Sequence, residues 1–222
     1  MFIKKRIFLM MCIIGILFLF SIVIPLVNAT KQEKQICIYI DPGHGGYDGG
    51  CTSKDSKVLE KDVTLNVSLL LASYLRQTGY VVKLTREADV ALNDVKREDI
   101  YKRVKMINES KANLYISIHA NAYPSSIVKG AQVFYQGTLD ENKKIAECIM
   151  KELKTLDTNN KREILTIKDK YLVDNVKIPG CLVEIGFLSN NDELQKLTNT
   201  SYQASLALTL YMGIMEYLDY VK

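Results

Sequence analysis

From residue 36 to the C-terminus the chain alternates short apolar runs with longer segments whose apolar residues recur at helical spacing. That alternation constrains the fold more than any other feature. Strands separated by helices build parallel sheets, and the helical crossovers cover both faces. The apolar runs at 36–40, 80–85, 114–119, 130–135, 170–173 and 181–185 predict strands. The segments 60–78, 98–110, 140–156 and 201–221 predict helices. In the first of these, Val63, Val67, Leu70, Leu71, Tyr74 and Leu75 share a face, and Gly79 follows as a stop signal. The expected fold class is α/β: a single domain with a roughly six-stranded, largely parallel sheet flanked by helices. The polar stretch 155–162, with Asp157, Asn159 and Asn160, reads as a surface loop placed to border a site. Tyr101 and other scattered aromatics read as core or surface filler.

The chain has two histidines. His44 follows the first expected strand in Asp41-Pro42-Gly43-His44-Gly45-Gly46, and His119 ends another in Ser117-Ile118-His119-Ala120-Asn121. If those strands lie parallel in one sheet, both imidazoles emerge at its carboxyl edge, where open α/β sheets place their chemistry. Two carboxylates converge on the same rim. Glu60 opens the first helix, and Glu184 ends the run Cys181-Leu182-Val183. A carboxylate beside an apolar strand is costly to bury without a partner. Two imidazoles and one carboxylate with an open fourth position make a catalytic zinc set, which lowers the pKa of bound water to about 7. A carboxylate outside the metal shell can carry the water's proton to a leaving amine. Spacing alone leaves open which glutamate does which. Glu60 equally suits the dipole at a helix start, and Glu184 equally suits a salt bridge to an arginine. The glycine-rich loop 43–50 lacks the spacing of a phosphate cradle. It reads instead as backbone freedom that lets His44 reach a metal.

Residues 1–29 stand apart. Lys4, Lys5 and Arg6 precede an uncharged run over 7–27, and Val27-Asn28-Ala29 supplies small residues. This is the order of a secretory signal peptide cleaved after Ala29. The run is also long enough to remain as an N-terminal membrane anchor. Either way residues 30–222 form the exported catalytic domain, and the membrane is met only through the N-terminal segment. Three of the 29 basic side chains and none of the 25 acidic ones lie in residues 1–29, so the remainder carries a net charge of +1 rather than +4. No basic stripe remains to hold nucleic acid. Cys37, Cys51, Cys148 and Cys181 show no CxxC spacing, and Cys37 and Cys181 read as buried free thiols.

Asp41-Pro42-Gly43-His44-Gly45-Gly46-Tyr47-Asp48-Gly49-Gly50, Glu60, Ser117–Asn121 and Val183-Glu184-Ile185-Gly186-Phe187-Leu188-Ser189-Asn190 occur in that order. Together they resemble the zinc-dependent N-acetylmuramoyl-L-alanine amidases of the Amidase_3 type. Thr85-Arg86 with Asp89, and Arg103 with Asn108, are similar to intervening positions of that family. The resemblance runs from about residue 36 to the C-terminus. It implies zinc (Zn2+) bound by His44, Glu60 and His119, with Glu184 as the catalytic base. It implies hydrolysis of the amide that joins the lactyl group of muramic acid to L-alanine in peptidoglycan. Asp41 and Asn121 are candidates to orient a ligating histidine or to bind substrate. With Lys161-Arg162 and Lys177-Ile178-Pro179 expected near the site, the chain is most similar to the sporulation and germination branch. Members of that branch strip stem peptides from spore cortex on the way to muramic-δ-lactam, and some work with a lipoprotein activator. The expected location is the cell wall or spore cortex side of the membrane. Cys51 departs from the family pattern, which favours a small residue there; its thiol is a spectator or a weak competing ligand. Two alternatives remain at this point. One is a zinc peptidase acting within the stem peptide. The other is a non-catalytic peptidoglycan-binding protein, against which the four filled reactive positions argue.

Overall fold

The computed structural model describes residues 35–55 and 57–221. The expected export segment, residues 1–29, lies outside them. Among the described residues no helix is long and apolar enough to cross a membrane. In chain order the elements are β1 (Cys37–Pro42), α1 (Glu60–Gln77), β2 (Val81–Leu84), α2 (Lys96–Glu109), β3 (Leu114–Asn121), β4 (Gln132–Tyr135), α3 (Asp140–Leu156), β5 (Leu165–Thr166), α4 (Tyr171–Asn175), β6 (Gly180–Phe187), α5 (Asn191–Leu197) and α6 (Thr200–Tyr220). The six strands form one sheet in the order β2-β1-β3-β6-β4-β5. β2, β1, β3 and β6 run parallel, whereas β4 is antiparallel to β6 and carries β5 along with it. The expected α/β architecture is therefore present, with one reversed pair at an edge.

Residues 170–173 do not form the expected strand. They enter the short helix α4. A four-residue apolar run is too short for its period to separate strand from helix, and contacts with α2 decide the matter. Asn108 of α2 donates from Nδ2 to the Asn175 carbonyl at 3.0 Å and accepts from the Lys177 amide at 2.8 Å. The sixth strand comes instead from Leu165 and Thr166, both exposed, in a segment without apolar alternation. A further short helix, α5, begins where the Asn190 side chain accepts from the Glu193 amide at 3.1 Å. An Asn cap with Glu three residues on is a helix-start signal.

Side chains alternate across a sheet with a period of two, and that alternation divides core from site. Ile38 and Ile40 of β1, Leu114, Ile116, Ile118 and Ala120 of β3, and Cys181, Val183 and Ile185 of β6 join α1, α3 and α6 in the main core. The opposite parity puts Tyr39 and Tyr115 on the other face, against Ile107 of α2. Asp41, Ser117, His119, Leu182 and Glu184 share that second parity and lie nearer the carboxyl edge. Between them and helices α2 and α4 opens a cavity of about 380 Å³. This volume falls within the range of small-ligand pockets, about 300–1,000 Å³. The four described cysteines are free thiols, Cys148 and Cys181 buried and Cys37 and Cys51 partly so.

Candidate metal centre and its cavity

The loop after β1 presents His44 in the left-handed region, with a φ of +60°, which non-glycine residues rarely adopt. Two buried arginines hold it there. Arg103 donates from Nη2 to the His44 carbonyl at 2.6 Å and from Nη1 to the Pro42 carbonyl at 2.7 Å. Arg86 donates from Nη2 to the Gly43 carbonyl at 2.8 Å. Strain of this kind persists only where the surroundings over-determine it. His44 Nδ1 lies 2.8 Å from Asp48 Oδ2, and its Nε2 lies 3.1 Å from Glu60 Oε2. His119 pairs in register with Glu184 across β3 and β6, and its Nδ1 lies 2.8 Å from Glu60 Oε1. The imidazoles meet edge to face, with centroids 5.1 Å apart. Candidate ligand atoms of His44, Glu60 and His119 all lie within 4.8 Å of one another. The packing around them admits no side chain at two glycines. A Cβ on Gly43 would stand 2.5 Å from the His119 ring, and one on Gly50 would stand 2.5 Å from Glu60 Oε2.

Glu60 is only 2% exposed. Burial raises its pKa, but hydrogen bonds from His119 and His44 outweigh burial and hold it below the usual carboxylate range. Amides of Ala120 and Cys51 add donors to Oε1 and Oε2 at 3.0 and 2.7 Å. For His119 the balance runs the other way: burial lowers its pKa, and contact with Glu60 more than restores it. Glu184 lines the same cavity and differs from Glu60. Desolvation pushes its pKa up to about 7, against the opposing pull of His119. Its Oε2 is buried without a hydrogen-bond partner among the described residues. Two imidazoles, one ionised carboxylate and a nearby orphaned carboxylate oxygen fit zinc, which takes nitrogen and oxygen ligands and leaves a position open in catalytic sites. Cys51 lines the cavity outside the three-residue cluster. Burial and then the charge of Glu60 push its thiol up to about 11, so it stays protonated at neutral pH.

Asp41 is buried beneath the site and touches neither imidazole. It accepts from Thr85 Oγ1 at 2.7 Å, Ser117 Oγ at 2.8 Å and Arg103 Nη1 at 2.9 Å. Its link to His44 runs through Arg103. Asn121 lines the cavity, and its Oδ1 accepts from the Ala122 amide at 2.8 Å. Asp89 ties the glycine loop to α1, accepting from the Gly46 amide and from Lys61 Nζ. Lys161, Arg162 and Lys177, expected near the site, do not line this cavity. Loop 155–162 borders a separate concavity with residues 127–130. Sequence reasoning gave no role to Asp48, although its place four residues after His44 was a usable signal. It also assigned nothing to Lys96 and Lys170, and it read Tyr101 as filler. Tyr101 packs on Tyr171 with centroids 4.4 Å apart, and Tyr171 lines the cavity.

The chain belongs to the Amidase_3 family, the N-acetylmuramoyl-L-alanine amidases, whose family model matches residues 38–216. It is an enzyme of peptidoglycan that hydrolyses the amide named by the family. The germination-specific N-acetylmuramoyl-L-alanine amidase of Bacillus subtilis is 46% identical over 188 residues, which cover 81% of this chain and 78% of the relative. The N-acetylmuramoyl-L-alanine amidase LytC of the same organism is 30% identical over 198 residues, covering 85% of this chain but 38% of the longer relative. Among solved structures, the CwlD amidase of Clostridioides difficile, in complex with the GerS lipoprotein, has a TM-score of 0.81 at 38% identity. That match covers 84% of this chain and all of the other.

Proposed function

We propose that this cavity cleaves the muramoyl–L-alanine amide with a zinc ion held by His44, Glu60 and His119 and with Glu184 as the proton carrier. The observation that carries the proposal is the meeting of the three candidate ligands with a carboxylate whose Oε2 is buried and unpartnered on one cavity wall. Zinc bound there supplies Lewis acidity toward the scissile carbonyl and lowers the pKa of water to about 7. Glu184, with a pKa near neutrality, accepts the proton of the attacking water and returns it to the departing amine of L-alanine. Asp48 fixes the orientation of His44 by engaging Nδ1, the outer-shell arrangement typical of metal-bound imidazoles. Arg103 and Asp41 keep the His44 loop in its strained conformation, and Asn121 lies where it can meet substrate.

Residues 30–222 are the catalytic domain in this reading, and residues 1–29 export it as a cleaved signal or a retained anchor. The substrate is stem-bearing peptidoglycan of the spore cortex, whose peptide-free muramic acid then becomes available for δ-lactam formation. Similarity to the germination-specific relative supports this role. The GerS lipoprotein in the C. difficile CwlD structure supports a lipoprotein partner here as well. The test is metal content alongside activity. The protein purified with zinc should carry one zinc per chain, lose peptide release on chelation and regain it on zinc addition. His44→Ala and His119→Ala should each lose the metal. Zinc retained at full stoichiometry in either variant would contradict the assignment.

A further inference from the structure

Among the described residues, two charged groups lining the cavity make no ion pair: Glu184 on the sheet, and Lys170 on the opposite wall, whose charge acts on Glu184 without contact. Arg103 pairs with Asp41 at 2.9 Å and with Asp99 at 2.6 Å. Lys96 pairs with Asp48 at 3.1 Å, and Asp48 also holds His44. Glu60 is engaged by both histidines. Lys170 lines the same cavity and makes no ion pair or side-chain hydrogen bond among the described residues. Its side chain is exposed, and the backbone before it sets where it starts. Asp169, directly before it, has a φ of +64°. That left-handed residue turns the chain between β5 and α4 so that Ile167, Lys170, Tyr171 and Leu172 all face the cavity. Strained backbone of this kind gathers at ligand sites. Tyr171, the next residue, rests on Tyr101 of α2 and lines the same cavity.

An unpaired ammonium in a substrate cavity gains most from an anion. Of the two halves of the substrate, only one offers it. The lactyl carboxyl on the glycan side is consumed in the scissile amide, and the sugars are neutral. On the peptide side, the D-glutamate that follows L-alanine keeps a free α-carboxylate. We propose that Lys170 binds this stem-peptide carboxylate, with the Tyr171–Tyr101 pair as the floor of the peptide subsite, and so determines which stems the enzyme prefers. The proposal rests on the amidase function above.

The test uses zinc-loaded wild type, Lys170→Gln and Lys170→Arg on glycan fragments of matched length, with stems carrying either D-glutamate or its α-amide, D-isoglutamine. kcat and KM are measured separately across pH. Wild type should prefer the carboxylate stem by about three- to tenfold in kcat/KM, the size of a partly exposed charge pair, with the difference in KM. Lys170→Gln should bring that preference close to one, and Lys170→Arg should keep most of it. A Lys170→Gln protein that loses activity equally on both stems, or only shifts its pH profile, shows that Lys170 acts through Glu184 and overturns the assignment. Wild type that cleaves both stems equally well overturns it too. Wild type that cleaves neither overturns the amidase function itself.

Discussion

At the scale of single residues, the two glutamates show how environment assigns role. Both are acids beside the same histidines, yet Glu60 is wrapped in donors and held ionised, whereas Glu184 is desolvated and left near neutrality. Glu184→Gln should therefore retain zinc and lose turnover by at least about 10²-fold, the usual scale for removing a general acid–base. It should also change stability in a signed way. The folded-state pKa of Glu184 lies above its unfolded value of 4.5, so the folded chain binds the extra proton between pH 4.5 and about 7. Stability is lost as pH rises through that window. Metal-free Glu184→Gln should be more stable than metal-free wild type by about 3 kcal/mol at pH 8, and the difference should vanish near pH 4, in urea titrations at each pH. Glu60, His119 and Glu184 were legible because they lie at a helix start or within strands, where periodicity fixes direction, and His44 because it follows β1 by two residues. Asp48 and Lys170 were not, since both lie in irregular segments where only the folded backbone says which way a side chain points.

At the scale of elements, α2 braces the catalytic loop. Arg103 joins Asp41 at the end of β1, Asp99 one turn back on its own helix, and two carbonyls of the His44 loop. For buried Asp41 the cost of desolvation is outweighed by Arg103, Thr85, His119 and Ser117, which keep it below its ordinary pKa. Asp41→Asn leaves the guanidinium under-compensated, so unfolding free energy should fall by about 3–5 kcal/mol, the cost of breaking a buried pair. A denaturation midpoint unchanged from wild type would show that the brace carries no stability. Long elements were read well from sequence: α3 occupies the expected residues 140–156, because seventeen residues show a clear helical period. Short ones were not. α4 was mistaken for a strand because its shape is set by Asn108 and Tyr101 on another helix, information that no local window contains.

At the scale of the whole molecule, the parallel order of β1, β3 and β6 does the organising. Those strands deliver the His44 loop, His119 and Glu184 to one edge, and α1 returns Glu60 to it. The two-residue alternation then puts the reactive groups on the face that α2 and α4 leave partly open, away from the main core. Sequence alternation implies this convergence once β1, β3 and β6 lie parallel and adjacent, as they do in the sheet. The reversal of β4 and β5 was not foreseeable, because pairing direction depends on which strands become neighbours. The central claim is that this edge cuts at the muramoyl–L-alanine amide with zinc in place. The most direct test is mass spectrometry of purified peptidoglycan digested by the zinc-loaded protein. Intact stem peptides with a new L-alanine N-terminus, alongside glycan bearing free lactyl carboxylates, are the predicted products. Shortened stems still attached to muramic acid, or no release at all from a zinc-replete protein, would contradict it.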